Sequence, residues 1–257
     1  MEDRKELLKT LRDTRDSINY AICQLESLNR GLENPVCPTL ATTSFVELKS
    51  LLDSVELNLE VGDRVRTRHE TFGEIYWVII GVGIDAQPIG AKRPTVTLHM
   101  ANVLDDMYLP FDTPSKKYCW GHNAWDTCSL REWLNGHFLS GFPEADREAM
   151  IRVEKTTYRN DDEGGKAYTT QDKLFLLSAS ELGFTGDNIK NEGVAYPFYK
   201  NPKNRKKTDS PSGDKSRYWM RSPYPWYTST AHTVCSDGAL NYYNAHIGCG
   251  VAAACVI

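Results

Sequence analysis

YWMRSPYPWYTSTAHTVCSDGALNYYNAHIGCGVAAACVI, Tyr218 to Ile257, departs most from the composition of the rest of the chain. From Ser222 onward its 36 residues carry one charge, Asp237, in a chain that is 25% charged. Burial accounts for the ends. Trp219 and Met220 read as core, and the run Val251–Ile257 reads as a buried strand. The middle cannot make a core, because it mixes Tyr227, Thr228, Ser229, Thr230, His232, Thr233, Asn241, Tyr242, Tyr243, Asn244 and His246. Tyr offers a large, stiff contact area at low entropic cost, and Ser, Thr and Asn offer adaptable hydrogen bonds, which is the composition of binding loops.

A second property is genetic. Between Tyr227 and Cys249 there is no Lys, Glu, Gln, Met or Trp. Those are the residues that randomising both adenines of an AAC or AAT codon cannot produce. In this the segment resembles the variable region of diversity-generating retroelement proteins, in which adenine-directed mutagenesis rewrites selected codons at the end of a C-type-lectin-fold domain. The resemblance implies direct ligand contacts at Tyr227, Ser229, Thr230, His232, Thr233, Cys235, Tyr242, Tyr243, Asn244, His246, Ile247 and Cys249, with Tyr227, Tyr242 and Tyr243 as energetic anchors. Asn241 either joins them or holds the turn. Trp219, Met220, Val234, the turn Ser236–Asp237–Gly238, Leu240 and Val251 are expected to be fixed scaffold.

With 257 residues the chain suffices for one large domain, or one domain with an appendage. A net charge of −4 gives no reason to expect nucleic acid as a partner. No apolar run approaches the ~18 residues of a membrane span, so no membrane insertion is expected. The start, MEDRKELLK, is charged and lacks a signal-peptide core, which points to cytoplasmic synthesis and leaves virion or cell-surface association open. Seven cysteines (Cys23, Cys37, Cys119, Cys128, Cys235, Cys249, Cys255) form no CxxC and read as reduced, mostly buried thiols.

Residues 1–60 are expected to be an N-terminal helical region. Arg4–Leu32 carries a heptad-like stripe (Leu7, Leu11, Ile18, Ala21, Leu25, Leu28) interrupted at Thr14, which suits an oligomerising coil and packing on its own domain equally. Glu33–Thr43, with Pro35 and Pro38, is a connector. Ser44–Leu57 is a second amphipathic helix capped by Ser44, so the appendage reads as a helical hairpin. From Val61 the pattern turns to β, with strands at Ile75–Val82 and Thr95–Met100. Asp126–Phe138 is predicted as a helix with a Ser129/Glu132 capping box, and a short helix starts at Pro143. Strands follow at Ile151–Lys155 and Asp172–Leu177, then a second capping box at Ser178–Glu181. Lys200–Arg217, with seven basic residues, reads as a solvated loop.

The order WVII (77–80), SLREWLNGHF (129–138), DKLFLLSASE (172–181), YWMRSP (218–223), SDGALN (236–241) and a closing GV-containing strand resembles uncharacterised domains of bacteria and their phages, related to the formylglycine-generating-enzyme branch of the C-type lectin fold. The resemblance spans about Val61 to Ile257. It implies an α+β, C-type lectin fold domain over residues 61–257, with short helices around small antiparallel sheets and a variable region at about 224–250.

Catalysis finds little support. The six histidines, His69, His99, His122, His137, His232 and His246, show no metal-ligand spacing. The acidic loop Asn160–Gly165 lacks the calcium-loop pattern and reads as a solvated turn. The sugar-binding lectin motifs are absent, since Gln87–Pro88 is followed by Ile89. Cys249 and Cys255 invite comparison with the cysteine pair of the formylglycine-generating oxidases, but the RGGSW-type motif of that family is replaced by WMRSP. The expectation is a non-catalytic binding protein with no cofactor or metal, recognising an unknown protein or cell-surface ligand. Two alternatives stand beside it: an ordinary binding domain without diversification, and an oxidase that would lose turnover on Cys249→Ser.

Overall fold

A computed structural model describes residues 44–53, 59–86, 93–105, 107–160, 165–208 and 215–257. The predicted helix Arg4–Leu32, the connector Glu33–Thr43, the tail of the second helix and the core of the acidic loop at 161–164 lie outside these residues.

The fold is mixed α+β. Its first part runs α1 (Phe45–Asp53), β1 (Arg64–His69), β2 (Gly73–Val82), β3 (Val96–Met100), β4 (Tyr108–Leu109), α2 (Ser129–Trp133) and α3 (Glu144–Ala149). Then come β5 (Val153–Tyr158), β6 (Ala167–Asp172), β7 (Leu174–Phe175), β8 (Lys207–Thr208), β9 (Lys215–Ser216), β10 (Tyr218–Pro223), β11 (Thr230–Val234), β12 (Leu240–Asn244), β13 (Cys249–Gly250) and β14 (Ala254–Val256). One sheet has the order β1-β2-β3-β14-β7, and a second has the order β12-β11-β10-β13-β4. Two ribbons, β5/β6 and β8/β9, complete the strands.

Local chemistry explains most of these elements. Ser44 Oγ accepts the Glu47 N–H at 3.0 Å, the expected cap of α1. The Ile75–Val82 run becomes β2 because its side chains are buried on both faces, and β14 is wholly buried between β3 and β7. Phe45 packs on Trp77 with ring centroids 5.2 Å apart, joining α1 to the first sheet.

Several expectations need correction. The single helix over Asp126–Phe138 is three pieces: a 3-10 turn at Trp125–Thr127, α2, and a π turn at Leu134–Phe138. Ser129 does not cap it. Asp112 Oδ1 instead accepts the Ser129 N–H at 3.1 Å, and the Ser129 hydroxyl takes the Thr113 N–H. The π turn sits where Asn135 leaves the helix to serve a strand, its Oδ1 accepting Lys173 N–H (3.1 Å) and Leu174 N–H (3.2 Å). The same contacts split the expected Asp172–Leu177 strand at Lys173. Pro143 is the residue before α3 rather than its first turn. The Lys200–Arg217 insertion holds 3-10 turns and the β8/β9 ribbon, with Lys207 buried and donating to the Met100 carbonyl.

The Ser178–Glu181 box does form, with Glu181 N–H on Ser178 Oγ (3.1 Å) and Ser178 N–H on Glu181 Oε2 (2.9 Å). It closes a turn rather than a helix, and its carboxylate enters a buried charge hub. Arg221, with no exposed surface, spends all five donors: on Glu181 Oε2, the carbonyls of Leu176 (2.8 Å), Glu192 (2.7 Å) and Thr156 (3.2 Å), and Thr157 Oγ1 (3.2 Å). Lys155 Nζ meets Glu181 Oε1 at 3.1 Å, Tyr196 Oη at 2.8 Å and Asp85. Burial alone would raise the Glu181 carboxyl, but the charges of Arg221 and Lys155 outweigh it and bring it down to about 2. Glu192, whose Oε2 accepts from Ser222, is pushed up to about 7 by burial.

Candidate ligand-binding surface

The hub anchors β10, and β10 carries the segment in question. β11 pairs with β10 and β12 with β11, both antiparallel, so β12 is the outer strand of the second sheet. The turn between β11 and β12 is built from its own residues. Asp237 Oδ1 accepts the Ala239 N–H (2.9 Å), and Gly238 donates to Cys235 O (2.9 Å) at φ +88°, a conformation that favours glycine. Asn241 Oδ1 accepts the Tyr242 N–H at 2.8 Å, which occupies a backbone donor of the outer strand.

The pleat then divides the segment. Successive side chains of a strand point to opposite faces, and Tyr242 and Tyr243 do so. Tyr242 stacks on Tyr224, centroids 4.0 Å apart, and Tyr224 also touches Trp226 (5.2 Å), Tyr227 (6.1 Å) and, edge-on, His232 (5.4 Å). Three of these rings face outward: Trp226 is 62% exposed, Tyr227 63% and Tyr242 47%. His232 lies beneath them, Nδ1 bonded to Asn241 O at 3.2 Å and Nε2 without a partner among the described residues, and burial holds its imidazole below the ordinary range. On the other face the Tyr243 ring receives the Arg217 guanidinium at 4.9 Å and lies 6.3 Å from Trp219.

A distant loop completes the surface. Asn123 Nδ2 donates to the carbonyls of Tyr227 (3.0 Å) and Thr230 (2.8 Å), and its N–H to Thr228 O (2.8 Å). Asn160 Nδ2 holds the Tyr224 carbonyl at 2.5 Å. The same loop sets Trp120, 61% exposed, against His246 at 5.0 Å. Its turn at Gly121 (φ +72°) admits no side chain, because a Cβ there would lie 2.6 Å from Asp112 O.

Of the residues expected to touch ligand, Tyr227, Tyr242 and Asn244 are exposed, and Ser229, Cys235, Asn241, Tyr243, His246 and Ile247 are half-buried. Thr230, His232, Thr233 and Cys249 are buried, which corrects their assignment as direct contacts. They face inward because cross-strand pairing and the overlying rings cover them: Thr230 Oγ1 bonds Asn244 Oδ1 at 3.3 Å, and His232 underlies Tyr224. Trp120, Tyr224 and Trp226 were missed. Tyr224 and Trp226 stand just before the code-limited window, and Trp120 approaches only through the fold.

Among the described residues no group of three His, Cys, Asp or Glu side chains gathers as metal ligands. A cleft lined by Phe72, Tyr76, Met100 and Leu104 holds about 40 Å³, against the several hundred of ordinary small-molecule sites. Burial pushes the Cys249 thiol up to about 12, and raises the Cys255 thiol as well. Among the described residues no helix is long and apolar enough to cross a membrane.

Comparison with curated proteins and with solved structures finds no match. A family model described as Domain of unknown function (DUF6273) matches residues 100–257, which takes in the hub except Asp85, the second sheet and the aromatic surface but leaves out α1, β1, β2 and all of β3 but Met100. The match covers more than half of the 257 residues, and the chain belongs to the DUF6273 family.

Proposed function

We propose that this chain is a non-catalytic ligand-binding protein on a C-type-lectin-fold scaffold, displaying a surface that a diversity-generating retroelement rewrites to recognise a macromolecular target. One observation carries the reading: a nearly charge-free ribbon exposes Trp226, Tyr227 and Tyr242 around a buried Tyr224. Clustered exposed aromatics mark interaction sites, and Trp and Tyr supply most interface hot spots. Between Tyr227 and Cys249 every exposed or half-buried side chain belongs to the set that adenine mutagenesis can reach, while Val234 and Gly238 serve the core and the turn. Two protonated, buried thiols are poor nucleophiles and favour recognition over oxidase chemistry.

The test is to sequence the locus across related isolates. Substitutions are expected at Tyr227, Ser229, Cys235, Tyr242, Tyr243, Asn244, His246 and Ile247. They should spare Val234, Asp237, Gly238 and Leu240, beside a near-copy of the coding DNA that differs only at adenines. An even spread of substitutions, with no such copy, sinks the diversification reading and leaves an undiversified binder.

A further inference from the structure

Arg217 stands beside the diversifiable positions yet outside the window they occupy. Its half-buried guanidinium lies over Tyr243, and the only hydrogen bond its side chain makes among the described residues runs from Nη2 to Cys235 Sγ at 3.7 Å. No carboxylate among the described residues pairs with it, in contrast to Arg221, Arg131, Arg66 and Arg159, each of which has one. Asn241 Nδ2 points at the same sulfur, 3.1 Å away. Two nitrogen donors thus converge on a thiol, one of the weakest acceptors a side chain offers. A stacked guanidinium presents its fork in a fixed plane, the geometry that matches a carboxylate.

We propose that Arg217 is a fixed receptor for a carboxylate group of the target, and that the residue at position 235 decides whether the receptor is open. One guanidinium fork matches the two oxygens of a singly charged carboxylate rather than a polyanion. Cys at 235 leaves the donors free. Asp, which the same codon randomisation can place at 235, would neutralise Arg217 from within and close the site. Diversification at one position would then switch the surface between acidic and neutral targets. The inference deepens the proposed function and rests on its reading of the ribbon as a binding surface.

The test follows the Arg217 Nε–Hε signal of the full chain by NMR during titration with N-acetylglutamate, with N-acetylglutamine as the neutral counterpart and inorganic phosphate as a second anion. A saturable shift with N-acetylglutamate in the millimolar range, absent with N-acetylglutamine, is expected. Cys235→Ser should preserve it and Cys235→Asp should weaken it at least about tenfold, the loss of one charge-assisted pair. The Tyr243 ring signals, which lie against the guanidinium, should shift with N-acetylglutamate in the native chain and stay still in Arg217→Met, checked for folding by its thermal melt. No saturation by roughly 100 mM, equal response to the neutral compound, tighter binding of phosphate, or indifference to Cys235→Asp overturns the proposal. Because this readout needs no natural target, a carboxylate response at an undiversified locus would sink the retroelement reading alone. A diversified locus without the response would sink the receptor alone.

Discussion

Around Arg221 the protein hides charge, and around Tyr224 it displays rings. In the first region an arginine with no exposed surface has a partner for every donor, drawn from the β5 strand, the segment after β7 and the Glu181 and Glu192 loops. In the second, large rings stand in solvent above His232, whose Nε2, like Thr233 Oγ1 and His246 Nδ1, has no hydrogen-bond partner among the described residues. A saturated buried network rigidifies what it touches, because any movement strands a charge in low dielectric. An exposed ring cluster with spare polar atoms can change its members without unsettling the frame. The difference sets the buried strand β10 apart from the outer strand β12 of the same sheet.

The largest effect should come from breaking the first region. Arg221→Met removes one of the two cations on Glu181, leaving Lys155, and strips the buried Leu176 and Glu192 carbonyls of this donor; it should cost about 3–5 kcal/mol in urea unfolding. A loss under about 1 kcal/mol would mean the hub does not hold the frame. Next comes pH. Glu181, brought down to about 2, contributes stability that is full above its ordinary 4.5 and lost as pH falls toward 2. Glu192, pushed up to about 7, does the reverse: its contribution is full below 4.5 and lost as pH rises through 7. Glu192→Gln should therefore abolish a decline on the order of 2–3 kcal/mol between pH 5 and 8, read from urea midpoints across that range. Parallel curves for the two proteins would show that Glu192 titrates normally.

The second region should yield smaller numbers. Tyr224→Ala removes the ring on which the others lean and should cost about 2 kcal/mol, whereas Tyr242→Ala should cost about 1 kcal/mol, the worth of one stacked pair. If Tyr242→Ala proves the costlier in thermal melts, the outer ring is core and the comparison between the regions fails. Smallest of all, Trp226→Ala and Trp120→Ala should shift stability by less than about 0.5 kcal/mol while weakening target capture. Unchanged capture in both would move the binding face elsewhere.

The elements legible in the chain were those made by neighbours. The β2 and β3 runs, the Ser44 cap, the Ser178–Glu181 box and the Ser236–Gly238 turn each depend on residues a few positions apart, and each is present. The Ser129 box failed because Asp112, distant in sequence, supplied the acceptor first. The candidate surface was half legible. Its composition set it apart from core, but the alternation of a strand put Tyr242 and Tyr243 on opposite faces, and covering side chains rather than alternation bury both His232 and Thr233.

By itself, then, the sequence determined an α+β chain with an uncharged, aromatic, code-limited C-terminal ribbon, because periodicity, turn chemistry and codon reach are properties of short stretches. Tertiary structure alone decided which of those side chains meet solvent, that Arg221 is buried with a partner for every donor, and that Trp120 comes to lie against His246. Burial and charge pairing depend on what distant segments bring to the same place, and no short stretch carries that information.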